Sequence, residues 1–178
     1  MTKKNYLDCD ELHQAATEYH FVLRKAQKES SVLPQVPEVI GVYILQICRQ
    51  VATKGCFNRY SYLDEMVSDA IMNCTYGASM FNPNSPVSNA FNYFTTIAIQ
   101  SFLQRIDKEK KFNFIKHSNF VRTYSGIDGT MLESDSDANE VSNRIVQEFE
   151  EKQTQRRNKQ LEKKNKKLSG EREKDLYK

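Results

Sequence analysis

Apolar residues recur along the first part of this chain at steps of three and four, the period of an amphipathic helix. Leu12, Ala15, Ala16, Tyr19, Val22, Leu23 and Ala26 share one stripe and predict a first helix. It ends before SSVLPQVP, because Pro34 and Pro37 forbid its continuation. A second helix is predicted over about 37–54, with Pro37 in its first turn and Ile40, Ile44, Ile47, Cys48 and Val51 facing inward. Gly55 is its expected C-terminal stop. The third helix is expected to start at Ser61, where Ser61-Tyr62-Leu63-Asp64 has the spacing of a capping box with Asp in place of Glu. Leu63, Met66, Val67, Ala70, Ile71 and Cys74 then fall on its inward arc, and Glu65, Ser68, Asp69, Met72 and Tyr76 on the opposite one.

FNPNSPVSN reads as a loop from its Pro, Asn and Ser content, after which Ser88 is placed to cap a long helix over about 89–111. Ala90, Phe91, Phe94, Ile97, Ala98, Phe102, Leu103 and Ile106 make much of its circumference apolar and predict deep burial. A narrow polar line remains in Tyr93, Gln100, Gln104 and Lys111. In RIDKEKKFNFIK, five basic residues stand against two acidic ones, with Phe112, Phe114 and Ile115 between them. Such a mixture can hold phosphates and stack bases, and it equally describes a helix end with core phenylalanines. Beyond Tyr124, SGIDGTMLESDSDANE has five acids and no base and predicts a flexible acidic loop. Val141, Ile145 and Phe149, at steps of four, mark a further packed helix. From Lys152 to Lys174, ten Lys and Arg face three Glu with no core-forming pattern, as in a solvated basic helix or a disordered tail. Either form would feel a nearby polyanion.

Composition narrows the class. With 178 residues, 39% hydrophobic and 28% charged, Gly 6 and Pro 4, the chain suits one compact domain with tails and favours helices over a turn-rich β architecture. The longest mainly apolar stretch, Val39–Cys48, falls well short of the roughly 18 to 20 residues that span a bilayer. MTKKNYLDCDEL places charges where a signal peptide has its apolar region, so a soluble, intracellular protein is expected. Cysteines 9, 48, 56 and 74 and histidines 13, 20 and 117 lack metal-ligand spacing. No metal site, cofactor or disulfide framework is expected, and Cys48 and Cys74 read as small buried hydrophobes. The net charge of +3 says little about partners. No phosphate loop, dinucleotide fingerprint, nucleophile elbow or HExxH is present. Glu65 and Asp69 lie one turn apart, but no base or second acidic pair is placed around them, so a contact patch is expected and catalytic residues are not.

Three stretches, VYILQICRQVATKG, YLDEMVSDAIMNCTYGASMFNPN and NAFNYFTTIAIQSFLQRIDKEKK, resemble in order and spacing region 2 of bacterial sigma factors. Within that family the chain is similar to the late-promoter sigma factors of T-even-type bacteriophages, through RYSYLDEMVSDAI, the FN turn, NAFNYFTTIA, FLQRIDKEKKF and HSNF. The resemblance covers about 37–124 and implies an all-α, compact, region 2-like helical domain there. An N-terminal amphipathic helix and linker (1–36) would precede it, and an acidic loop (125–140) and a charged helix or tail (141–178) would follow.

By the same resemblance, Glu65, Ser68, Asp69, Met72, Asn73 and Tyr76 would dock on the coiled coil of the largest subunit of host core RNA polymerase. Phe91, Tyr93 and Phe94 would stack on bases of opened promoter DNA, Gln100 and Gln104 would read adenine edges, and Arg105, Lys108, Lys110 and Lys111 would hold phosphates. The implied activity is that of a late-transcription sigma factor for short A/T-rich promoters, working in the cytoplasm of an infected bacterial host, with a phage late co-activator as a further partner. Ile97 and Ala98 stand where primary sigma factors carry paired tryptophans, so melting would rely on other residues. No second helix-turn-helix domain is recognisable. Only Leu176 and Tyr177 of SGEREKDLYK match the clamp-binding end of short phage late sigmas, which argues against sliding-clamp binding. Two other classes fit the same residues: a non-catalytic polymerase-binding adaptor or anti-sigma interaction protein, and a free-standing helical DNA-binding regulator.

Overall fold

The computed structural model describes residues 7–85, 89–124 and 134–176, and every regular element among them is an α-helix. The helices are α1 (Cys9–Lys28), α2 (Glu38–Ala52), α3 (Leu63–Ala78), α4 (Ala90–Tyr124) and α5 (Ser134–Leu176). The expected all-α class is the one observed among the described residues. The chain forms two compact units, Met1–Asp107 and Lys108–Lys178, and α4 runs across the division. The predicted first helix thus belongs to the same unit as α2 and α3.

Local chemistry sets the helix ends. Asp8 caps α1, its Oδ1 accepting from the backbone N–H groups of Asp10 and Glu11 at 3.1 Å each. Acids in the first turn and Lys25 and Lys28 in the last complement the helix dipole. At the other end the Ser31 N–H reaches back to the Ala26 carbonyl at 3.0 Å, and Ser30 takes a left-handed φ of 50° to allow it. α4 is capped by Asn89, whose Oδ1 accepts from the N–H groups of Phe91 (2.9 Å) and Asn92 (3.4 Å). Ser88, the expected cap, lies outside the described residues.

Two other expected ends are corrected. α3 begins at Leu63 with Tyr62 in the cap position and no side-chain cap bond, so the box at Ser61 is not used. α2 closes on a right-handed Thr53 rather than on Gly55. The turn that follows stays tight, with the N–H groups of Phe57 and Asn58 both bonded to the Lys54 carbonyl, and it carries Phe57 into the core.

α2 packs against both α1 and α3, and Ile40, Ile44, Ile47, Cys48 and Val51 are buried as predicted. From α4, Ala90, Phe94, Ala98, Phe102 and Ile106 complete this core, with Phe102 against Phe57 at 5.1 Å between ring centroids. Val22 and Leu103, expected inside, are exposed. His20 takes an inward place on α1, its Nδ1–H donating to the Phe81 carbonyl at 2.7 Å.

Phe81 was the first residue of a segment that reads as loop, yet it is only 2% exposed. Its ring meets His13 of α1 edge-on and Tyr93 and Phe94 of α4.

In the second unit, Phe114 of α4 stacks on Phe149 of α5 at 4.5 Å, and His117 Nδ1 lies 3.0 Å from Ser142 Oγ. Ser142 is buried and Val141 exposed, so the inward line of α5 runs through Ser142, Ile145 and Phe149. The helix starts at Ser134, inside the expected acidic loop, of which 125–133 lie outside the described residues. From Glu150 to Lys166 every residue is exposed, so the basic stretch is a solvated helix over that length.

Two stability effects follow. Phe81→Ala empties a site shared by α1 and α4 and is expected to cost about 3–5 kcal/mol in urea unfolding followed by circular dichroism. Ser30→Gly relieves a left-handed serine and, after the extra entropy of an unfolded glycine, should add about 0.5–1 kcal/mol in the same assay.

Candidate functional site

α3 and α4 run antiparallel, and a ladder of contacts fixes their register. Arg105 donates to Asp69 Oδ2 at 3.1 Å, and Asn73 donates to Ser101 Oγ at 2.9 Å. One turn further along α3, a Cβ on Gly77 would lie 2.7 Å from Ile97 Cδ1. Each step of four along α3 is answered by a step of four back along α4. The absence of a side chain at Gly77 lets the two helices approach there, and its carbonyl accepts from Tyr93 Oη at 2.9 Å.

This ladder divides the residues expected to dock a partner. Glu65, Ser68, Met72 and Tyr76 lie on one exposed stripe of α3, within an arc of about 80° at 100° per residue. Met72 and Tyr76 are 65% and 68% exposed, large values for apolar side chains. Ser68 Oγ donates to the Asp64 carbonyl of its own helix. Asp69 and Asn73 are half-buried and bonded to Arg105 and Ser101, so they border the stripe and hold α4.

The residues expected to meet DNA are divided as well. Phe94 is fully buried against Phe81 and Tyr93 and is a core side chain, so it offers no ring face for stacking. Phe91 is half-buried against the core. Tyr93 is half-buried with its hydroxyl anchored on Gly77, so only part of its ring is open. Gln100 and Gln104 are exposed. Arg105 is committed to Asp69. Lys108, Lys110 and Lys111 are exposed and belong to the second unit.

Beside Tyr93 the surface forms a groove of about 490 Å³ lined by Met80, Phe81, Asn82, Ser85, Asn92, Tyr93, Thr96, Ile97 and Gln100. None of these is charged. From Ala70 to Gln104 the chain contains no Asp, Glu, Lys, Arg or His at all. The groove therefore suits apolar and neutral polar groups and contributes no cation to a phosphate. It was not visible in the sequence, because half of it comes from the turn that follows α3. The run of 35 residues without charge was the available signal.

Cys48 and Cys74 are fully buried, and the Cys74 thiol donates to the Phe94 carbonyl at 3.5 Å. The hydrogen bond with Cys48, and then burial, push the Cys74 thiol up. Among the described residues, no group of three or more His, Cys, Asp or Glu could hold a metal ion, and no helix is long and apolar enough to cross a membrane. Comparison with protein-family models and with curated proteins finds no match to this chain.

Burial, and then the neighbouring Cys74, hold the Tyr93 phenol above its ordinary value of 10.0. The folded chain keeps this proton more tightly than the unfolded one. The resulting stabilisation is complete below about pH 10 and is lost as pH rises through the raised value. Tyr93→Phe should cost about 1 kcal/mol at neutral pH through the lost bond to Gly77 and should make stability fall less steeply above pH 10. Urea midpoints measured from pH 7 to 11 test both; parallel curves for parent and variant would refute the alkaline effect.

Proposed function

We propose that this chain is a sigma factor of the region 2 type, which binds core RNA polymerase and directs it to short A/T-rich late promoters of a T-even-type phage. The supporting observation is the stripe on α3. Glu65 stands near its N-terminal end, and Met72 and Tyr76 stand exposed two and three turns further on. A basic coiled coil would meet the carboxylate with its arginines and cover the two apolar side chains, the composition of a protein–protein hot spot. Held against α4 by the Asp69 and Asn73 bonds, the helix presents this stripe without reorganising. The order of the sequence segments supports the same reading. On it, the chain performs no chemistry of its own, works in the cytoplasm of the infected host, and engages promoter DNA through Tyr93, Gln100 and Gln104, with Lys108, Lys110 and Lys111 on phosphates.

One observation favours the adaptor or anti-sigma reading instead. Up to Gln104 the face carrying Tyr93 and the two glutamines has no cation, Phe94 is core, and Arg105 is held by Asp69. A polymerase-binding protein that never touches DNA would need nothing more on α4.

Run-off transcription separates the two. Sigma-free core polymerase from the matching host is incubated with the protein on a template carrying a TATAAATA-like element and on a scrambled control. Discrete initiation on the first template alone is expected. Met72→Ala/Tyr76→Ala should weaken binding to core polymerase by roughly 30-fold or more, the loss of two hot-spot side chains, while far-UV circular dichroism stays unchanged. Polymerase binding without a start site, even on pre-melted templates, would replace the sigma reading with the adaptor one.

A further inference from the structure

The exposed part of α5 carries its charge in a particular arrangement. Lys152, Arg156, Lys159, Lys163 and Lys166 are spaced by four, three, four and three residues, and all are exposed. At 100° per residue they fall within an arc of about 80°, and at 1.5 Å per residue they form a line roughly 21 Å long. The opposite side of the helix carries Thr154, Asn158, Leu161 and Asn165, none of them charged. Between Lys152 and Lys166 the remaining cations, Arg157 and Lys164, lie off the line and share a different side of the helix.

Like charges three and four residues apart repel along a helix, and here they do so with no buried face to offset it. Lys152 has Glu148 at 3.3 Å, and Arg156 and Lys166 also have interaction partners, yet all five cations of the line remain exposed. A counter-charge laid along the line would relieve the repulsion. A membrane surface is a poor candidate, since an interfacial helix needs an apolar face and the single large apolar residue, Leu161, lies away from the cations. A duplex supplies one phosphate every few ångströms along each strand, more than enough to meet one cation per turn.

We propose that this line on α5 is a sequence-independent contact for the phosphate backbone of duplex DNA. It makes no use of the α3 stripe or the α4 groove and does not depend on the sigma reading. Five phosphate contacts give a log–log dependence of the association constant on salt with a slope of about −4.5.

The test uses the full chain, a random-sequence 30-base-pair duplex and no polymerase, with fluorescence anisotropy from 50 to 300 mM NaCl. Two double variants remove the same charge from the same helix: Lys159→Gln/Lys163→Gln on the line and Arg157→Gln/Lys164→Gln off it. Gln keeps a helix propensity close to that of Lys and Arg, and circular dichroism checks that both remain helical. The on-line pair should weaken binding at 100 mM NaCl by at least about tenfold and reduce the slope by about 1.8. The off-line pair should stay within about threefold of the parent. Equal losses from the two pairs would overturn the proposal, since net charge alone would then explain binding. So would a parent slope shallower than about −2, or binding to vesicles of phosphatidylserine and phosphatidylcholine without binding to the duplex. None of these results bears on run-off initiation, so the two readings can fail separately.

Discussion

The ring of Phe81 joins three helices at one point. It leaves the end of α3, meets His13 of α1 edge-on, and lies against Tyr93 and Phe94 of α4, while its carbonyl takes the Nδ1–H of His20. A turn residue placed this way ends α3 and seats α4 in one stroke. α1 has its own apolar line, but the bond from His20 adds a directional contact that apolar packing lacks. The uncharged groove beside Tyr93 has this ring in its wall, so its shape depends on the same residue.

The ladder between α3 and α4 does a different kind of work. A hydrophobic interface tolerates sliding, whereas Asp69 with Arg105 and Asn73 with Ser101 admit one register. Moving either helix by a turn would separate both pairs and drive Ile97 off the gap at Gly77. Side chains spent on this alignment are no longer free for a partner. The outer stripe of α3 is correspondingly narrower than a helical wheel suggests, and it rests on Glu65, Ser68, Met72 and Tyr76.

Much of this fold was legible along the chain, because buried apolar residues at helical spacing mark α1, α2, α3 and the first half of α4 directly. Local pattern failed where a contact came from far away in sequence. Arg105 and Asp69 are 36 residues apart and neither has a neighbour that announces the pair. Phe81 looked like a loop residue because Asn, Pro and Ser surround it, and nothing local says that a ring will be drawn into the core. His20 and Ser142 are polar residues in inward positions, each accommodated by one long-range hydrogen bond. The start of α5 is not legible for a related reason: charge composition argues against a core, but it does not forbid a helix. The exposure of Glu65, Ser68, Met72 and Tyr76 is legible in the sequence, since a surface helix shows both of its faces in its periodicity.

The stretch from Ala70 to Gln104 has no side chain charged at neutral pH and therefore projects almost no field into solvent. A molecule approaching it feels no attraction until the surfaces touch, so encounters there proceed at unsteered rates, on the order of 10⁵–10⁶ M⁻¹s⁻¹. Selectivity at such a surface is expressed in residence time. Shape and neutral hydrogen bonds in the groove decide how slowly a bound group leaves, and they have no influence on how quickly it arrives.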